Sequence, residues 1–180
     1  MPGWINPVAY GYQSRQWLGH TFRYYLAKGF VNEYDNVLDV ACGTGYGSAF
    51  LASIASGVTA IDIDIEALKI AHKQWPRTNI EYVQMDLCEI DKLPDCTVAV
   101  SFETIEHLGC PPEHFVGMLK AATRNLIILS APVIPTVHAN PHHEHDFTEG
   151  ELQGLILDEE WILWEKIRQG PYMIIVAYRK

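Results

Sequence analysis

No apolar run in the sequence approaches the ~18 residues that a membrane-spanning helix needs. The opening Met1-Pro2-Gly3-Trp4 has neither the basic stretch nor the apolar core of a secretory leader. Positive charge is scarce: 13 Lys and Arg stand against 22 Asp and Glu, a formal net charge of −9. That balance creates no whole-protein field attracting a phosphate backbone, and no Lys/Arg cluster is longer than two residues. The four cysteines, Cys42, Cys88, Cys96 and Cys110, include no Cys-x-x-Cys pair. They read as small buried thiols of a reducing, cytoplasmic compartment. Internal repeats and low-complexity tracts are also absent.

What is present suits one domain with a real core: 180 residues, 48% of them hydrophobic. Strand and helix patterns alternate along the chain. Residues 14–31 place Leu18, Phe22, Tyr25, Leu26 and Phe30 at helical spacing, with Ser14 as N-cap. Strands are expected at 37–40, 58–61, 80–85, 97–102 and 125–129, and helices at 46–54, 66–73, 112–122 and 149–156. A last strand pair, 161–167 and 172–178, flanks Gly170-Pro171. Alternation implies a mostly parallel sheet covered on both faces. The closing pair is joined too tightly for a parallel crossover, so one member runs antiparallel. Two stretches resist the pattern, residues 1–13 and the Pro- and His-rich 131–148, and a loop of that kind is usually functional.

The strongest local signal is Val37-Leu38-Asp39-Val40-Ala41-Cys42-Gly43-Thr44-Gly45-Tyr46-Gly47, a strand running through a glycine turn into a helix. Glycine permits positive φ and close approach of a ligand to the backbone. Asp62 closes the second strand, where a carboxylate can accept both hydroxyls of a ribose, and Asp86 closes the third, where one can accept from an adenine amino group. Together these acids describe a nucleoside pocket. A dinucleotide fits less well, because Gly47 comes one residue early for the Gly-x-Gly-x-x-Gly fingerprint. Asp39 suits a ligand that carries an ammonium group instead. Tyr12, Trp17 and Tyr24 read chiefly as packing residues.

This turn, with Ile61-Asp62-Ile63-Asp64, Met85-Asp86-Leu87 and Ser101-Phe102-Glu103-Thr104-Ile105-Glu106-His107-Leu108, resembles the successive motifs of class I S-adenosylmethionine-dependent methyltransferases. The resemblance implies an α/β, Rossmann-like, seven-stranded sheet of order 3-2-1-4-5-7-6, with strand 7 antiparallel and helices on both faces. It implies one methyltransferase domain over 1–180, with 1–31 as N-terminal segment and helix and 131–148 as acceptor-side loop. The cofactor would be S-adenosylmethionine. Asp39, Ala41, Gly43, Gly45 and Tyr46 would meet its methionine end, Asp62 and Ile63 its ribose, Asp86 and Leu87 its adenine, and Ser101 and Phe102 its sulfonium.

Glu103, Glu106 and His107 have the spacing i, i+3, i+4, which puts all three on one face if a helix follows Phe102. The Glu-x-x-Glu-His pattern also resembles that of metal-dependent small-RNA 2′-O-methyltransferases. A fourth ligand could come from the histidine-rich loop, with His145 and His143 as the candidates, and the likeness implies a divalent ion, Mg or Mn, on Glu103, Glu106, His107 and His145. Without a metal, His107, His145 or Glu106 would act as general base, which tilts the expected chemistry toward an oxygen acceptor. The leading expectation is O-methyl transfer to a small-molecule or sugar-like hydroxyl. The alternatives are methylation of an RNA ribose 2′-hydroxyl and a non-catalytic, cofactor-binding partner subunit. No membrane partner is expected.

Overall fold

The computed structural model of the protein describes residues 15–136 and 140–180. In chain order its elements are α1 (Arg15–Lys28), β1 (Asn36–Val40), α2 (Tyr46–Leu51), β2 (Gly57–Asp62), α3 (Ile65–Gln74), β3 (Ile80–Gln84) and β4 (Cys96–Phe102). A short 3-10 turn (Ile105–His107), α4 (Pro112–Ala122), β5 (Thr123–Pro132), α5 (Glu149–Ile156), β6 (Trp161–Gln169) and β7 (Tyr172–Arg179) follow. The seven strands take the order β3-β2-β1-β4-β5-β7-β6. β1 with β2, β2 with β3, and β4 with β5 pair parallel, whereas β7 runs antiparallel to both β5 and β6. The expected order and the reversed last strand are both present. The chain forms two compact units, one ending at Asp86 and one beginning at Leu87.

In the first unit, Val37, Leu38 and Val40 of β1 and Ala60 and Ile61 of β2 are buried. That continuous burial is what a parallel strand covered on both faces requires. α2 packs on β1 and β2, α3 on β2 and β3, and α1 on α2. Asp64 starts α3 by accepting the amides of Glu66 and Ala67, and Trp75 before Pro76 ends it.

α1 corrects the periodicity reading. Phe22 and Tyr25 are 44% and 61% exposed, while Arg23, Tyr24 and Ala27 are buried. The buried face is chosen by what Tyr24 must reach, described below, rather than by the most apolar stripe. Ser14, the expected cap, lies outside the described residues.

In the second unit, Ile174–Ala177 of β7 form an unbroken buried run between β5 and β6. β6 is an edge strand of which only Trp161 is buried, and Trp164, Glu165 and Lys166 are exposed. α4 opens on Pro112, whose missing N–H costs nothing at a helix start. α5 opens on a capping box: Glu151 N–H donates to the Thr148 hydroxyl, and the Thr148 N–H donates to the Glu151 carboxylate.

Candidate functional site

The glycine turn leaves β1 through three residues in the left-handed region: Ala41 (φ 61°), Gly43 (φ 55°) and Gly45 (φ 76°). Gly45 N–H donates to the Cys42 carbonyl at 3.1 Å, and Cys42 N–H donates to Ile61 at 2.9 Å. Asp62 fixes the far side of the turn. Its Oδ2 accepts from Gly43 N–H at 2.8 Å and its Oδ1 from Asp64 N–H at 2.9 Å. Burial raises the Asp62 pKa, and these amide bonds pull against that rise. Each carboxylate oxygen keeps a lone pair for a further donor. At Gly45 a Cβ would lie 2.6 Å from the Ala71 Cβ and 2.9 Å from the Tyr82 ring.

Beneath the turn, Asp39 is fully buried. Its Oδ1 accepts from the Tyr24 hydroxyl at 3.0 Å and its Oδ2 from the Ser48 hydroxyl at 2.6 Å. Burial drives the Asp39 pKa up to about 6 despite both hydrogen bonds. Burial, followed by the Asp39 charge, raises the Tyr24 hydroxyl well above its usual range. Gly47 explains its own spacing here: a Cβ on it would sit 2.0 Å from Tyr24 Cζ. The glycine that comes early for a dinucleotide turn is the seat of a tyrosine ring. Tyr46 meets that ring edge-on at 5.4 Å. Sequence reading placed Asp39 against a ligand ammonium and passed over Ser48. The signal available for Ser48 was its position on the first turn of α2, next to Gly47. Ile63 is exposed, and Asp86 is half-buried at the end of the unit.

In the second unit, Leu87, Ser101 and Phe102 are buried, and Ser101 Oγ finds no hydrogen-bond partner among the described residues. The expected helix after Phe102 does not form. Glu103 adopts φ 53°, and only Ile105–His107 coil, as a 3-10 turn that Leu108 ends in extended conformation. The one-face argument for Glu103, Glu106 and His107 therefore fails. A left-handed residue breaks the helical phase between Glu103 and the other two.

A different trio comes together. One ligating atom each from Glu106, His107 and His143 lie within 4.8 Å of one another. The His107 and His143 rings meet edge-on, centroids 4.6 Å apart. His107 Nδ1 faces the His142 carbonyl at 2.8 Å, and a carbonyl only accepts, so this nitrogen carries the proton. His143 Nδ1 meets the Thr136 hydroxyl oxygen at 2.6 Å. Burial lowers the His143 pKa, and His107 adds to that, while Glu103 acts in the opposite direction. The loop is anchored through the Glu106 carbonyl, which accepts from the Glu144 and His145 amides at 2.8 and 3.2 Å. His145 is turned elsewhere: its Nε2 meets the Cys110 carbonyl at 3.3 Å.

Cys88 and Cys110 form a disulfide with Cα atoms 5.4 Å apart, which corrects their reading as reduced thiols. A separation of 22 residues carries no spacing signal, so only the fold brings them together. Cys42 and Cys96 are buried free thiols, as expected. Tyr12, His138 and the side chain of Trp17 fall outside the described residues. No described helix is long and apolar enough to cross a membrane.

Among known families, the model described as "Methyltransferase domain" matches residues 37–127. A "probable S-adenosylmethionine-dependent methyltransferase" of Mycobacterium tuberculosis (strain CDC 1551 / Oshkosh) is 32% identical over 139 residues, covering 71% of this chain and 48% of that protein. The chain thus spans about half the length of the curated relatives it matches. An S-adenosylmethionine-dependent methyltransferase from Mesorhizobium loti superposes with TM-score 0.74 at 14% identity, covering 87% of this chain and 98% of that one. Magnesium protoporphyrin IX methyltransferase from Synechocystis PCC 6803, solved with bound SAH, gives TM-score 0.74 at 17% identity, covering 100% and 90%. At these identities the structures share the fold.

Proposed function

From the membership of this chain in the methyltransferase-domain family, we propose that it transfers the methyl group of S-adenosylmethionine to a hydroxyl of a small or sugar-like molecule. The observation that carries this reading is the clamp of Asp62 on Gly43 across a turn with three positive-φ residues. It presents backbone and a carboxylate with spare lone pairs, as a ribose needs. When bound, the cofactor supplies a methyl group on a positively charged sulfur. In this reading Gly43, Gly45, Ala41 and Tyr46 receive the methionine end. Asp62 and Ile63 hold the ribose, Asp86 and Leu87 the adenine, and Ser101 and Phe102 wall the sulfonium. Asp39 acts one layer down, holding Tyr24 and Ser48 under the turn.

Aligning donor and acceptor supplies roughly 7–11 kcal/mol of effective concentration. A hydroxyl must also shed its proton, and a positioned base contributes ~10²–10⁴-fold. Glu106, His107 and His143 offer the acceptors for that proton, with His145 two residues beyond His143 on its loop. The acidic balance of the chain favours a small acceptor over a nucleic acid.

The test is calorimetric titration of the full chain with S-adenosylhomocysteine. Binding is expected in the wild type, with Asp62→Ala weakening it by about 100-fold, the scale of a lost charge-assisted pair. Absence of binding in the wild type, or an unchanged affinity in Asp62→Ala, overturns the reading.

A second reading is favoured by the Glu106, His107 and His143 trio. One carboxylate and two imidazoles suit a divalent cation, and each imidazole has one nitrogen, Nδ1, engaged in a hydrogen bond, as ligating histidines do. Such an ion would lower the pKa of an acceptor hydroxyl, and an RNA ribose 2′-hydroxyl is the acceptor that the Glu-x-x-Glu-His resemblance suggests. Methyl transfer to RNA ends that EDTA abolishes would support it. Transfer that EDTA leaves untouched would exclude it. In this set His143 stands in place of His145, and Glu103 has no part.

A further inference from the structure

We propose that Thr136 and Asp146 are positioning residues that lock His143, the neighbour of Glu106 and His107, in its Nδ1–H form and so leave the ring's lone pair on Nε2. The proposal rests on proton accounting. The Thr136 hydroxyl has one proton and donates it to Asp146 Oδ1 at 3.0 Å. An ionised carboxylate only accepts, so that proton has no other place on this bond. The Thr136 oxygen is left with lone pairs alone, and the ring nitrogen 2.6 Å away must be the donor. Asp146 Oδ1 also accepts the Thr136 backbone N–H, so the hydroxyl is aimed by a second bond from the same carboxylate.

The consequence reaches the trio. Which imidazole nitrogen carries the proton is set by the hydrogen bond made by the other. A neutral imidazole free in water prefers its proton on Nε2, so the Thr136–Asp146 pair reverses the intrinsic preference of the ring. His107 is fixed in the same sense by the His142 carbonyl. Both rings then present bare nitrogens, and Glu106 contributes a carboxylate. A carboxylate and two imidazoles with a ligating atom each within 4.8 Å of one another suit an electron-poor guest, either the proton of a hydroxyl or a cation. Were His143 to carry its proton on Nε2, its lone pair would sit on Nδ1, against the Thr136 hydroxyl. What the lone pair is used for rests on the proposed function, but the locked tautomer does not.

The experiment is long-range proton–nitrogen correlation NMR on the full chain with ¹⁵N-labelled histidine, at mildly alkaline pH. In the wild type His143 is expected to show a protonated Nδ1 and a bare Nε2. Thr136→Val keeps the side-chain shape and removes the acceptor, so the Nε2–H form should become the major one. Asp146→Ala frees the threonine proton to donate to Nδ1, and the same reversal is expected. Thr136→Ser should restore the wild-type pattern. His114, whose Nε2 faces the Ile90 carbonyl at 3.0 Å, carries the opposite tautomer and reports in the same spectrum that a variant is folded. An Nε2–H His143 in the wild type overturns the proposal. So does an Nδ1–H form that persists in both Thr136→Val and Asp146→Ala. Titrating the same samples with S-adenosylhomocysteine separates the two claims: a locked tautomer without cofactor binding sinks the function and leaves the lock standing.

Discussion

In the first unit two carboxylates are held by groups on the regular elements and the turn between them: Asp62 by the amides of Gly43 and Asp64, Asp39 by the buried hydroxyls of Tyr24 on α1 and Ser48 on α2. In the second unit the two imidazoles are held by groups of one loop. His107 is held by the carbonyl of His142, 35 residues on, and His143 by Thr136 on the far side of the loop. The first arrangement belongs to the glycine turn, the strand ends around it and the helices α1 and α2. The second exists only when a loop has come back to a turn. Mutations in the glycine turn should therefore damage structure and ligand binding together, while changes around the histidine loop should separate them.

The largest effect is expected at Gly45. A left-handed position costs an L-residue roughly 1–2 kcal/mol, and the clash with Ala71 and Tyr82 adds to it. Gly45→Val should abolish detectable S-adenosylhomocysteine binding and lower the denaturation midpoint. Full retention of both would break the comparison.

Asp39 gives the next effect, read through pH. Its pKa in the folded chain is raised from the usual 3.8 to about 6, so its contribution to stability is greatest in acid and is lost as pH rises through about 6. That loss corresponds to about 3 kcal/mol. Asp39→Asn retains an acceptor and cannot ionise. In urea denaturation followed from pH about 4 to about 7, the variant should gain on the wild type by this order of magnitude. A flat difference would mean that the buried carboxylate is not the titrating group.

The smallest effect sharpens the contrast from the other side. Thr148→Ala removes the cap of α5 at the end of the histidine loop and should cost about 1 kcal/mol. Its S-adenosylhomocysteine affinity should stay within about twofold, a difference of about 0.4 kcal/mol. A tenfold loss of affinity would show that the two regions are coupled.

The same contrast explains what could be read from the sequence. A mostly parallel sheet followed from alternation, and one reversed strand in the closing pair from the tight Gly170-Pro171 connection, whereas the full strand order and the choice of β7 came with the family resemblance. The turn of Gly43 and Gly45 was legible because its spacing is short and its glycines have one physical meaning. The face of α1 was misread, since Phe22 and Tyr25 fit the apolar stripe while the buried partner of Asp39 is the neighbouring Tyr24. The helical phase assumed for Glu103 failed at a single left-handed residue, which a glutamate does not advertise. His143 and His145 are interchangeable by spacing. Only Thr136 on one side and the Cys110 carbonyl on the other tell them apart. The Cys88–Cys110 pairing, across 22 residues, has no spacing pattern to announce it.

That disulfide has a mechanical meaning. It closes residues 88–110 into a covalent ring containing β4, Glu106 and His107. Tension applied to the two ends of the chain would pass through the sulfur bridge and bypass the ring. β4 and the turn that bears Glu106 and His107 would remain slack while the rest of the chain was drawn out.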